Sequence, residues 1–153
     1  MRKYFEKIDG KIIHFMRTIF PLMARLAIFI IFFWFGFLKI IDTSPANPMV
    51  AALLAKTLPF ISFNQFIVLF GVYEMIIGLT FLIPGLERLA IALLVPHMIT
   101  TFLPLVFLAP MTWQGFLTPT LEGQYIIKNL LIIALAMGVA AQLHPIHFSG
   151  RKK

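Results

Sequence analysis

The feature that most constrains this chain is a set of four apolar runs, each long enough to cross a membrane. A spanning helix needs about 20 consecutive, mostly apolar residues. The four runs lie at about residues 20–41, 63–83, 89–108 and 124–143. Each is continuous and does not alternate between apolar and polar residues, which disfavours a membrane β-barrel. We therefore predict an all-α integral membrane four-helix bundle, forming a single transmembrane domain over residues 1–153.

The composition supports a membrane protein and excludes two other classes. The chain is 60% hydrophobic and 12% charged, whereas soluble domains are about 45–50% apolar and about 25% charged. So few charged side chains do not cover a water-facing surface. The 17 phenylalanines exclude a disordered chain, because disordered segments are poor in aromatic residues. The lipid bilayer is therefore the expected surrounding partner.

The net charge of +7 arises mainly near the two ends, and this distribution predicts the orientation. Cytoplasmic segments carry an excess of lysine and arginine. Basic residues occur near the N-terminus, in the turn at 84–88 and at the C-terminus: Arg2, Lys3, Lys7, Lys11, Arg17, Arg88, Arg151, Lys152 and Lys153. Four spans with both termini cytoplasmic satisfy this bias. No basic stripe with interleaved aromatic residues is present, so nucleic-acid binding is not expected.

Segments outside the four runs are predicted to form short amphipathic surface helices. Residues 4–20 mix lysine with phenylalanine and isoleucine at helical spacing, which is typical of a helix in the inner interface. Asn47 and Pro48 form an N-cap followed by a first helical position, so a short outer helix should begin there. By the same reasoning, Thr118 and Pro119 are predicted to start the fourth span.

Five ionisable side chains lie inside the predicted spans, where such groups mark interior or functional positions. They are Arg25, Lys39, Glu74, His97 and Lys128. At 100° per residue, each shares a helix face with other polar or small residues. The spans are therefore predicted to gather them into one polar cluster. Glu74 is too short to reach water from mid-membrane, so it must be neutral or paired, and we predict a pair with Lys128 or Lys39.

Structural roles are open alternatives for the same residues. Lys39 can extend outward and pair with Asp42, and Arg25 can extend inward to lipid phosphates. A single interior histidine such as His97 is more often a hydrogen-bonding group than a ligand. Polar contacts between helices also hold membrane bundles together without any chemistry.

Several kinds of catalytic and metal site are disfavoured by the sequence. The chain has no cysteine, which removes thiolate metal sites and thiol catalysis. Pro145 disturbs the helical spacing of His144 and His147, so no metal site is expected there. No nucleophile–base–acid set or phosphate-binding glycine motif is found. No catalytic residue is therefore assigned.

The polar residues of the spans also carry a family resemblance. The first two spans combine ionisable residues with glycines, in the order Arg25, Gly36, Lys39, Glu74 and Gly78. Residues 119–136 read PTLEGQYIIKNLLIIALA. Over about residues 25–141, the chain resembles the DoxX-like family of small four-helix bacterial membrane proteins. The resemblance implies a bacterial inner-membrane location. It also implies similarity to a small subunit of a thiosulfate:quinone oxidoreductase, or association with oxidative-stress and detoxification enzymes.

Three functions fit these features. The first is a redox-linked accessory subunit that binds a quinone, the candidate cofactor, at the polar cluster around Glu74. A quinone needs an apolar slot with donors for its carbonyl groups and an acid–base group when it is reduced. The second is a small transporter or permease component in which Glu74 relays protons or anions. The third is a scaffold whose outer loops recruit a partner, either an oxidoreductase or a second copy of the chain.

Overall fold

The computed structural model describes residues 2–144 as a helical bundle with one small β-ribbon. The elements are α1 (Arg2–Ile40), α2 (Asn47–Thr57), α3 (Phe63–Leu82), α4 (Glu87–Phe102), α5 (Pro104–Phe107), α6 (Ala109–Thr112), β1 (Trp113–Gly115), β2 (Thr118–Pro119) and α7 (Leu121–Ala140). Four segments of this part are long and apolar enough to cross a membrane: Tyr4–Ile40, Phe63–Leu82, Glu87–Phe107 and Leu121–Ala140. The all-α fold prediction is therefore confirmed. The His147 position and the basic C-terminal residues lie outside the described residues.

The first helix is longer than the sequence pattern predicts. Instead of a surface helix followed by a span, α1 is one continuous helix of 39 residues. At 1.5 Å per residue this is about 58 Å, nearly twice the hydrocarbon thickness of about 30 Å. Gly10 and Pro21 both lie inside α1 and neither ends it. The amphipathic segment at residues 4–20 is thus the extension of the first span.

The start of the fourth span also differs from its prediction. Thr118 and Pro119 belong to β2, which pairs antiparallel with β1, and Leu117 between the strands has a left-handed φ of 52°. Helix α7 begins after Thr120, whose hydroxyl accepts a hydrogen bond from the Gly123 amide at 3.1 Å. A threonine that caps in this way satisfies one of the unpaired amides of the first turn. The fourth span therefore begins at Leu121, after the Thr118–Pro119 start that the sequence predicts and three residues before the apolar run at 124–143.

Helices α1 and α3 approach each other so closely that their backbones almost touch. A Cβ atom built on Gly36 would lie 2.5 Å from the Gly71 carbonyl oxygen, and one on Gly71 would lie 2.6 Å from the Gly36 carbonyl oxygen. Farther along the contact, a Cβ on Gly78 would lie 3.1 Å from the Phe29 carbonyl oxygen. Small residues allow membrane helices to pack at such distances. This contact fixes the relative height of α1 and α3.

The apolar core is formed by all four long helices. It includes Ile28 and Phe32 of α1, Ile77 and Phe81 of α3, Ala90, Leu94 and Met98 of α4, and Ile132 and Ala136 of α7. Large apolar side chains such as Leu69 and Leu131 are instead exposed on the outside of the bundle. A surface of this kind is suited to lipid, because the bilayer interior does not penalise exposed apolar groups.

Replacement of Gly36 by alanine should destabilise the bundle. The new Cβ would meet a backbone oxygen that cannot rotate away, and overpacking of this kind costs roughly 1–3 kcal/mol. The matched control is Gly10→Ala in the same helix, where nothing lies within 4 Å of the added atom and the higher helix propensity of alanine favours folding. Thermal unfolding in detergent should show a lower midpoint for Gly36→Ala alone. Equal midpoints for Gly36→Ala and wild type would contradict the close contact.

Candidate functional site

Three ionisable side chains from three helices meet in the interior of the bundle. Lys39 Nζ of α1 donates a hydrogen bond of 2.6 Å to Glu74 Oε2 of α3. His97 Nε2 of α4 lies 3.0 Å from the other carboxylate oxygen, Glu74 Oε1. Each of the three residues is at most 6% exposed. We call this group the Glu74 triad. Of the two partners predicted for Glu74, the structure selects Lys39.

The close glycine contact explains why the triad forms at this level. Lys39 follows Gly36 by three residues, and Glu74 follows Gly71 by three residues. Side chains three residues apart lie on the same face of a helix. Because α1 and α3 run antiparallel, Glu74 lies beside Gly36 and Lys39 lies beside Gly71, about one helical turn apart, and the long lysine side chain spans this distance to the carboxylate. The position of Lys39 and Glu74, each three residues after a contact glycine, thus allows the ammonium to reach the carboxylate.

Aromatic rings enclose the histidine and the lysine. Phe70 stacks on His97 with ring centres 5.2 Å apart and an interplanar angle of 6°. Phe32 meets the same imidazole edge-on at 5.0 Å. The Lys39 ammonium lies 5.5 Å from the centre of the Phe70 ring, within the range of a cation–π interaction. This dry, polarisable surrounding strengthens the electrostatic interactions inside the triad.

Two further polar contacts involve α4, one within the helix and one to α3. The Thr101 hydroxyl lies 3.3 Å from His97 Nδ1, so both imidazole nitrogens have a polar neighbour. The Tyr73 hydroxyl donates a hydrogen bond of 2.6 Å to the Leu93 carbonyl oxygen. Sequence reasoning did not assign a role to Tyr73 or to Phe70. The sequence feature that could have indicated a role was their position: Tyr73 is one residue before Glu74, and Phe70 is four residues before it.

Arg25 belongs to a second, separate ion pair. Its Nη2 atom donates to Glu87 Oε1 at 2.6 Å, and its Nη1 atom lies 3.4 Å from the Phe81 carbonyl oxygen. Arg25 and Lys39 are 14 residues apart on α1, which is about 21 Å along the helix. The prediction that Arg25 joins the cluster around Glu74 is therefore wrong. Glu87 was missed, although an acidic residue at the inner end of α4 matches the depth of Arg25.

Lys128 is also outside the triad, contrary to the prediction. It is exposed on the surface of α7, where its ammonium lies 5.1 Å from the centre of the Tyr125 ring. Lys128 is seven residues from the start of α7, or about 10 Å, a depth from which a lysine can extend toward the interface. The inward face of α7 instead carries small and aliphatic residues such as Ile132 and Ala136.

The ammonium of Lys39 retains unused hydrogen-bonding capacity. A lysine has three N–H donors, and within residues 2–144 the Glu74 carboxylate is the one hydrogen-bond acceptor of Lys39. The ring of Phe70 lies nearby but accepts no conventional hydrogen bond. A carbonyl oxygen of a ligand would complete the coordination of this buried cation. The donor set therefore fits the head group of a quinone.

The fold and the site define a multi-pass membrane protein: a bundle of four apolar helices around a buried ionisable triad. Comparison with protein-family models, curated proteins and solved structures finds no match.

Removal of the Glu74 carboxylate should destabilise the protein through its partner. Glu74→Leu leaves the Lys39 ammonium buried without an acceptor, and breaking a buried pair in this way costs roughly 3–5 kcal/mol. Glu74→Gln retains a hydrogen-bond acceptor, so its loss should be smaller. The double variant Lys39→Met/Glu74→Leu removes both charges and should recover most of the stability.

Wild type, Lys39→Met, Glu74→Leu and the double variant Lys39→Met/Glu74→Leu form a double-mutant cycle. The free energy of unfolding of all four should be measured in detergent. The control is Glu122→Leu, because Glu122 is exposed in the first turn of α7. A double variant as unstable as the sum of its two single variants would rule out the pairing.

Proposed function

We propose that the protein is a small accessory subunit of a redox system in the bacterial inner membrane, similar to DoxX-like proteins, and that the Glu74 triad binds a quinone head group. The observation that supports this most strongly is the unfilled donor capacity of the buried Lys39 ammonium. A ligand bound there must reach the bundle interior through the bilayer, so it must be largely apolar. It must also offer an acceptor oxygen. Quinones combine both properties.

The charges of the triad favour a neutral ligand. Lys39 and Glu74 form an ion pair whose charges cancel, and Lys128 is too far outside to add a second cation. A carbonyl oxygen accepts a hydrogen bond from Lys39 without bringing in a buried charge. The rings of Phe32 and Phe70 lie against His97 and make the surroundings of the triad apolar, as is usual for sites that bind small molecules.

In this proposal each residue of the triad has a separate role in binding the ligand or in holding protons beside it. A quinone held by Lys39 and Glu74 would supply two-electron redox chemistry, with the electrons coming from a partner oxidoreductase. Lys39 orients the carbonyl oxygen, and Glu74 holds the ammonium in place. His97 shares a hydrogen bond with Glu74, and an imidazole nitrogen can either donate or accept a hydrogen bond. Together they hold exchangeable protons beside the ligand.

A proton-conducting transporter component is the second candidate, and one observation favours it. Thr101, His97, Glu74 and Lys39 form a continuous series of polar contacts at 3.3, 3.0 and 2.6 Å. Ionisable chains of this type serve as proton relays in membrane pumps. In this alternative, protons move along the same residues with no bound quinone.

Quinone titration of the reconstituted protein tests the first proposal. Quenching of tryptophan fluorescence by a short-tailed quinone in nanodiscs should saturate for wild type. Lys39→Met/Glu74→Gln removes the donor without leaving an unpaired buried charge. This variant should bind about 10-fold more weakly or worse, because a hydrogen bond to a charged group contributes roughly 1.5–3 kcal/mol. Lys128→Met is the matched control and should bind like wild type, since Lys128 is exposed on α7.

The two candidates give different results in a paired measurement. Equal quinone affinity for wild type and the double variant would contradict a site at the triad. Proton flux into vesicles, measured with a pH-sensitive dye, should not depend on Glu74 if the protein binds quinone as an accessory subunit. Flux that is lost in Glu74→Gln, with no saturable quinone binding in wild type, would favour the transporter component.

A further inference from the structure

A groove on the outside of the bundle, separate from the Glu74 triad, runs between α4 and α7. Its volume is about 510 Å³. The lining side chains are all apolar: Ile91, Leu94, Val95, Met98, Ile99 and Phe102 of α4, with Ile133, Ala136, Met137 and Ala140 of α7. Both helices belong to the membrane-spanning segments. The groove therefore opens toward the lipid of the bilayer.

A cation lies near one end of this groove, one turn of α4 before its first lining residue. Arg88 is exposed one turn before Ile91, and its Nη2 atom donates a hydrogen bond of 2.5 Å to the His144 carbonyl oxygen, one turn beyond Ala140. The guanidinium thus crosses from α4 to the chain that follows α7. An arginine has five N–H donors, and this contact uses one of them. Within residues 2–144 the other donors have no hydrogen-bond partner, and an anion at the mouth of the groove would be within their reach.

The length of the groove matches one leaflet of a bilayer. From Ile91 to Phe102 the lining extends over 11 residue steps, which is about 16 Å. Half of the hydrocarbon core of a bilayer is about 15 Å. The end marked by Arg88 lies in the turn that is predicted to face the cytoplasm. A ligand in this groove would therefore have its anionic part at the inner headgroup level and its apolar part in the inner leaflet.

We propose that the α4–α7 groove binds one phospholipid of the inner leaflet, with its phosphate on Arg88 and one acyl chain along the apolar lining. Charge complementarity selects this occupant, because an apolar chain that ends in an anion satisfies both parts of the site. The inner surface of bacterial-type membranes is anionic, and basic residues at this depth bind lipid head groups. The site is independent of the proposed quinone function.

A lipid in this groove would also contact core residues that lie next to the Glu74 triad. Leu94 and Met98 line the groove and belong to the same core as Phe32. Phe32 contacts the imidazole of His97. The bound chain therefore supports the side of α4 that adjoins the histidine-bearing face.

Native mass spectrometry of the full-length protein tests this proposal. The protein is delipidated in detergent and titrated with phosphatidylglycerol. One lipid should bind per chain to wild type. Arg88→Gln removes the phosphate contact, and Ala140→Leu narrows the inner end of the groove, so each should lower the affinity by about 10-fold or more.

Two matched variants serve as controls. Lys11→Gln removes a basic charge at an exposed position on α1, and Ala134→Leu adds the same side chain at an exposed position of α7 that does not line the groove. Both should bind phosphatidylglycerol like wild type. Equal binding by Arg88→Gln and wild type would overturn the proposal. So would a dimer that Ala140→Leu dissociates, since a second copy of the chain would then occupy the groove.

Discussion

The carboxylate of Glu74 is the group on which the rest of the bundle depends. An ionised carboxylate without partners in an apolar interior is too costly to be retained. Here each of its oxygens has a polar partner, one on α1 and one on α4. These contacts require three helices to meet at one level. Gly36 and Gly71 allow the first approach, while the bond from Tyr73 to Leu93 holds α4 against α3.

The second ion pair restricts the position of α1 along its own axis relative to the other helices. Arg25, in the second half of α1, contacts Glu87 in the first turn of α4, about 21 Å along α1 from Lys39. A slip of α1 by one turn would separate both ion pairs and would place side chains against the glycine contacts. Two polar contacts at different depths therefore define the register that apolar packing between membrane helices specifies weakly. The same register places the donors of Lys39 beside the rings of Phe32 and Phe70.

Much of the fold was predictable, because apolar run length and the cost of buried charge are strong constraints. These principles gave the four spans and limited the partner of Glu74 to Lys128 or Lys39, of which the structure shows Lys39. They did not give the position of Lys128, because a long lysine side chain can lie on a lipid-facing surface and extend toward water. They also did not show that Arg25 pairs with Glu87, since one helix face does not specify its neighbour. The continuity of α1 through Pro21 was also not predicted, because a proline inside a helical pattern usually ends or kinks the helix.

The most direct test of the account is the contact between Lys39 and Glu74 in a bilayer. Solid-state NMR on protein with ¹⁵N-labelled lysine and ¹³C-labelled glutamate detects an ammonium nitrogen next to a carboxylate carbon. We predict one strong cross-peak that disappears in both Lys39→Arg and Glu74→Gln and persists in Lys128→Arg. A cross-peak that survives in Glu74→Gln, or a Lys39 ammonium with no carboxylate neighbour, would contradict the account.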